Sequence, residues 1–330
     1  MSMNRTLSLA AALGLWAGLC FAAALYGTWQ GFGGRRFAVA LAVSSVLLAG
    51  QLLFAVGGVP ERMARWFSNG RFAAALPFSM IGLCLVYALG TENFTWPHMG
   101  LGAAYVLAPG ALLWQARERR RPFGAWEDWV AILLLWLPVE FHLLRDLWPY
   151  PNPRGTGAMT ALFTVNVVIV LFLVARRLDG VGYTIAWGRG WGWAVGVSFV
   201  VFAAVAIPLG QAIGFLRFDP SIARLNLLPL SALSIFLFNA WPEELFFRGL
   251  MQNLLSRTVQ NDDAGWVLTS VIFGLAHINN GVFPNWRYVL LATLAGLAYG
   301  RAWRKTGSIF ASALVHTLVN TTWHLLFRTL

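Results

Sequence analysis

The sequence predicts an all-α fold, a polytopic transmembrane helical bundle of roughly 10–11 membrane spans. Three observations carry that expectation. The 330 residues are 58% hydrophobic and only 11% charged, with a mean hydropathy of +0.64, whereas a soluble domain carries about 25% charged residues. Apolar stretches long enough to cross a bilayer recur from end to end. The short alternating segments that a membrane barrel needs are absent.

The spans fall at approximately 7–26, 37–56, 72–89, 98–114, 126–145, 159–175, 192–216, 228–250, 264–280, 286–303 and 306–327. The first is too long for a signal peptide and many others follow it, so it reads as a transmembrane helix. Arginines, a Gly-Gly pair and Pro-rich stretches such as 149–153 separate the spans. Trp29, Trp66, Trp96, Trp126, Trp148 and Trp191 sit near segment ends and suit interfacial belts. Loops 57–71, 115–125, 176–191, 251–263 and 304–305 share one side. They hold Arg62, Arg65, Arg71, the 117–121 cluster, Arg176, Arg177, Arg189, Arg257, Arg304 and Lys305. Their charge marks that side as cytoplasmic and puts the N-terminus outside, with Arg35 and Arg36 against the rule. The stretch 178–189 is less hydrophobic than its neighbours. It reads as a linker between an N-terminal bundle (1–158), of no assigned role, and a C-terminal bundle (159–330).

The net charge of +11 comes from arginine clusters between apolar runs, which is a topology signal. No basic patch is interleaved with exposed aromatics, so nucleic acid is not an expected partner. Cys20 and Cys84 fall inside apolar spans and read as small buried hydrophobes, neither disulfide nor metal ligands.

Ionisable residues inside membrane helices are costly and mark functional sites by default. The C-terminal half has three such places: Glu243, Glu244 and Arg248; Phe273 with His277; and His316 with Asn320. Residues four apart share a helix face, so Arg248 can hold Glu244 ionised. Glu243 is turned about 100° away and lacks that partner. It is the freer carboxylate and the candidate general base. Pro242 precedes it and can kink or open the helix there. His316 and Asn320 share a face, both able to donate to a developing oxyanion, and His324 continues that face toward an interfacial position. A rise of about 1.5 Å per residue allows the three places to meet in one cavity. Each also has a structural reading: an ion pair for Glu244 and Arg248, a hydrogen-bonded helix contact for each histidine. Glu140, His142, Arg145 and Asp146 form a further charged group at a span end, a membrane-edge network or the lining of an access path.

Taken in order, Glu243-Glu244-xxx-Arg248, Phe273-xxx-His277 and His316-xxx-Asn320 resemble the three signature motifs of the CAAX protease and bacteriocin-processing (CPBP) family. This is the ABI, or type II CAAX prenyl endopeptidase-like, group. The flanking EELFFRG and FGLAH are similar too, and the resemblance spans about 225–327. It implies an intramembrane glutamate-type endopeptidase acting on a membrane-associated or lipidated protein or peptide. By motif position, Glu243 would activate water and His277 would help to hold it. His316 and Asn320 would stabilise the oxyanion, with Glu244 and Arg248 in support. Substrate prenylation belongs to only part of the family. The arginine-rich, lysine-poor composition hints at a GC-rich bacterial genome, hence an inner-membrane location.

No cofactor is implied. A zinc site built from a glutamate and two histidines is an alternative, disfavoured by the lack of HExxH and by the arginine beside the carboxylates. A non-catalytic scaffold, immunity or transport protein is the other; transporters of this size often show matched repeats, and none stands out here.

Overall fold

The structure, a computed structural model, describes residues 5–67, 70–151, 153–188, 190–221 and 225–329. Arg189 of the basic loops and Asn152 of the Pro-rich stretch lie outside the described residues, as does the side chain of Arg71. The chain forms two compact units, Thr6–Asp179 and a second built on Gly180–Leu330. The division lies between Asp179 and Gly180, and not at the 158/159 boundary expected from the sequence.

The first unit contains α1 (Leu9–Trp29), α2 (Gly34–Leu53), α3 (Val59–Trp66), α4 (Gly70–Gly90), α5 (Trp96–Glu118), α6 (Trp126–Glu140) and α7 (Pro153–Val168). A π-helical turn, Ile169–Ala175, extends α7. The helix α1 is apolar on every side and almost nowhere buried, the signature of a helix solvated by hydrocarbon. Ser8 starts it by accepting from the Ala11 N–H. His142, Arg145 and Asp146 are exposed in the turns that follow α6, the last two on a 3-10 turn, Arg145–Leu147.

Two sequence expectations are corrected in this unit. Trp148 is fully buried, packed on Tyr87 and Phe163 at 4.8 and 5.2 Å, so it is a core residue and not part of a belt. Arg176, counted among loop arginines, is buried against Asp128 at 2.8 Å. Its Nη2 donates to the Arg121 and Pro122 carbonyls, and its guanidinium lies over the Phe123 ring. Charge counting could not see that pair because its members lie 48 residues apart.

The second unit contains α8 (Trp191–Ala212), the long helix α9 (228–259), α10 (Asp262–Leu275), α11 (Trp286–Thr306) and α12 (Ile309–Leu326). A short antiparallel strand pair, Leu216–Phe218 with Phe327–Thr329, ties the end of α12 to the segment after α8. Trp191, expected in a belt, is buried, whereas its neighbour Trp193 is exposed. Asn261 caps α10 by accepting from the Asp263 and Ala264 N–H groups, with two aspartates in the first turn. Asn285 caps α11 and Ser308 caps α12. Gly307, at φ +65°, ends α11 in the left-handed region that glycine tolerates.

Among the described residues, five helices are long and apolar enough to cross a membrane: α1, α2, α5, the extended α7 and α8. The sequence counted more than twice as many apolar intervals, eleven. Two of the remaining intervals become helices that are shorter or carry more charge: α10, which stops at Leu275, and α11, which holds Arg287, Arg301, Arg304 and Lys305.

Candidate active site

The helix α9 positions the first motif. It runs as α-helix Leu228–Ile235, π-turns Phe236–Ala240, α-turn Trp241–Glu244, π-turns Leu245–Gln252 and α-helix Asn253–Val259. Pro242 therefore neither opens nor breaks it, as the sequence allowed. Proline lacks an N–H and clashes with the carbonyl four residues back; widening the flanking turns relieves both, and such wide turns gather at functional sites.

Glu243 and Glu244 then face different surroundings. Glu244 is fully buried. Its Oε2 is 3.2 Å from Arg248 Nε and accepts from the Ser312 hydroxyl, and its Oε1 accepts from His316 Nδ1 at 2.9 Å. Arg248 is also fully buried. It donates from Nη2 to the Gly296 carbonyl at 2.9 Å and lies over Phe273 and Tyr299, at 4.7 and 5.4 Å from the ring centroids. Glu243 instead lines a cavity of about 260 Å³. Its Oε1 accepts from Asn239 Nδ2 at 2.5 Å, and its Oε2, which has no hydrogen-bond partner among the described residues, lies 3.9 Å from His316 Nε2.

His316 is thus held from both sides. Its Nδ1 is committed to Glu244, its ring stacks on Tyr299 at 4.5 Å and 15°, and Nε2 is the nitrogen left for the cavity. One turn on, Asn320 donates from Nδ2 to Asn239 Oδ1 at 3.0 Å. His277 lies two residues beyond the end of α10. Its Nδ1 donates to the Phe273 carbonyl at 2.8 Å, which leaves Nε2 as the second ring nitrogen. Its ring packs between Phe273 and Tyr288. The Phe273-xxx-His277 motif therefore straddles a helix end, where the sequence placed both residues on one span.

The cavity brings together Glu243, His277, His316 and Asn320, and its wall also includes Asn239, Asn280, Tyr288, Tyr299 and His324. Glu244 and Arg248 lie behind this wall as a buried pair. Close helix packing permits the convergence. A Cβ on Gly296 would sit 3.0 Å from the Ser270 Cα, and one on Gly274 would sit 2.7 Å from the Val289 carbonyl oxygen. Only glycine lets α10 and α11 approach so near. Among the described residues, no three His, Cys, Asp or Glu side chains are grouped as metal ligands.

Sequence reasoning missed three members of this network. Ser312 extends the series Ser312, His316, Asn320, His324 by one step of four, a spacing visible in the sequence. Asn239 stands four residues before Glu243 in an apolar run, and the same rule could have found it. Tyr299 carried no signal, since an aromatic on a membrane helix is ordinary core.

Residues 224–322 match the family model described as type II CAAX prenyl endopeptidase Rce1-like. This stretch of the chain is an Rce1-like domain. It covers under a third of the sequence and contains all three motifs. Searches of curated proteins and of solved structures returned no significant match. The five candidate membrane helices all precede the matched stretch, and a protein or peptide is the substrate class that the family implies.

Proposed function

We propose that the chain is an intramembrane endopeptidase in which Glu243 activates water against a peptide carbonyl. The observation that carries this reading is the shared cavity. One carboxylate outside the ion pair, two histidines and an amide line it together, and the family model spans all four.

The chemistry runs as general base catalysis. Glu243 takes a proton from water as the water oxygen bonds to the carbonyl carbon, and His277 helps to hold that water. The carbonyl π electrons move to its oxygen. Asn320 donates an N–H to that oxyanion, and His316 donates from Nε2. Donation from Nε2 needs a proton on each ring nitrogen, and the buried Glu244 carboxylate on Nδ1 is the counter-charge to that form. Collapse of the tetrahedral intermediate breaks the C–N bond. The proton held by Glu243 passes to the leaving nitrogen, giving a carboxylic acid and an amine. Glu244 and Arg248 position His316 and take no part in proton transfer. The N-terminal unit, the lipidation of the substrate and a bacterial inner-membrane location belong to the same proposal.

The test compares peptide termini by mass spectrometry in membranes holding the wild-type chain or Glu243→Gln at matched levels. Termini that vanish with Glu243→Gln in folded protein support the reading and identify the substrate. Identical maps, with a deletion phenotype still rescued by the variant, would make the chain a scaffold or transporter.

A further inference from the structure

The site contains a residue outside the three motifs whose contacts link the two halves of the chemistry. A carboxylate has no hydrogens to give, so Asn239 must turn its NH₂ toward Glu243. Its carbonyl oxygen then points the other way, and there it meets Asn320. An oxygen can only accept, so Asn320 must turn its own NH₂ to that side. The orientation of each amide is thereby fixed by the charge on Glu243. Asn320 uses one N–H on Asn239 and keeps the second, together with its position on the cavity wall.

We infer that Asn239 is a positioning residue: it holds the Glu243 carboxylate and makes Asn320 present a donor, not an acceptor, to the reacting oxygen. An unrestrained asparagine could turn its carbonyl to the cavity and repel an oxyanion. The chain Glu243–Asn239–Asn320 removes that freedom. Asn239 lies on the same helix as Glu243 and one turn before it, and it reaches across to α12. It therefore sets the spacing of base and oxyanion donor with a single amide. This inference rests on the functional reading above for its catalytic consequence, but not for its contacts.

Two measurements test it on the full chain in detergent. The first needs no substrate. With ¹³C-glutamate labelling, the infrared carboxylate band lost in Glu243→Gln belongs to Glu243. Asn239→Leu should shift that band, because the carboxylate loses its donor. A band that stays in place overturns the inference, whether or not the chain proves to be a protease. The second uses an internally quenched peptide spanning a cleavage site mapped in membranes. Asn239→Leu should lower kcat about 10–100-fold at unchanged KM, short of the ~10²–10³-fold loss from deleting an oxyanion donor. A rise in KM alone, or an unchanged kcat, overturns the positioning role. If Glu243→Gln leaves cleavage intact while the infrared band still moves in Asn239→Leu, the general-base role of Glu243 fails and the tether stands. Matching unfolding midpoints for Asn239→Leu and wild type, or for Asn239→Ala where leucine destabilises, separate positioning from loss of fold.

Discussion

Replacing Arg248 by methionine leaves Glu244 charged in a place that water does not reach. Both side chains are fully buried, with Nε and Oε2 3.2 Å apart. Removing one partner of such a pair costs about 3–5 kcal/mol, most of it from the stranded charge. Two further losses act in the same direction. The Gly296 carbonyl loses its donor, and the rings of Phe273 and Tyr299 lose the cation above them. Against these, Ser312 and His316 still bond to Glu244 and keep the cost within that range. At about 1.4 kcal/mol per tenfold, the folded-to-unfolded ratio falls between a hundred- and several-thousand-fold. The double variant Glu244→Gln/Arg248→Met removes the stranded charge and keeps an acceptor for His316. It should recover at least about 1 kcal/mol of the single-variant loss. Denaturant unfolding in micelles, followed by tryptophan fluorescence, measures both. Arg248→Met within about 1 kcal/mol of wild type, or a double variant weaker than the single one, refutes the reasoning.

Other predictions follow from the same contacts. Glu243→Gln should cut cleavage about 10²–10⁴-fold, the usual worth of a general base, while its unfolding midpoint stays at the wild-type value, since Glu243 is outside the buried pair. Gly274→Ala places a Cβ against Thr293 Oγ1 and the Val289 carbonyl; overpacking of this kind costs about 1–3 kcal/mol and should lower the melting temperature and, through the displaced His277, the cleavage rate. In the first unit, Arg176→Met strands Asp128 and two backbone carbonyls. It should cost about 3–5 kcal/mol, seen as faster proteolysis of residues within 6–179.

Much of the site was legible because its residues are expensive in a hydrophobic chain. Glu243, Glu244, Arg248, His277, His316 and Asn320 stand out against apolar neighbours, and spacing by four separated Glu244 from Glu243. The same spacing extended one step would have found Ser312 and Asn239. What spacing could not supply is which helices approach one another. The bond from His316 Nδ1 to Glu244 spans 72 residues, and that from Asn239 to Asn320 spans 81. Helicity was legible for the same reason that spans were: long apolar runs. Span ends and numbers were less so. The interval 264–280 reads as one span through the partly polar Ala276-His277-Ile278-Asn279-Asn280, yet the helix stops at Leu275 and the backbone turns there, with His277 on the cavity wall. Tryptophans misled in two cases, because a large ring at a segment end fits an interfacial belt and a packed core equally well.

The central claim is that Glu243, His277, His316 and Asn320 act as one site, and a four-variant comparison tests it most directly. Each of Glu243→Gln, His277→Ala, His316→Ala and Asn320→Ala is expressed at matched level in the same membranes, with the double variant Glu243→Gln/His316→Ala. The account predicts that all lose the same peptide termini. It also predicts that the double variant cleaves no slower than Glu243→Gln alone, since members of one catalytic unit are strongly non-additive. Different sets of lost termini, or losses that multiply in the double variant, would contradict it.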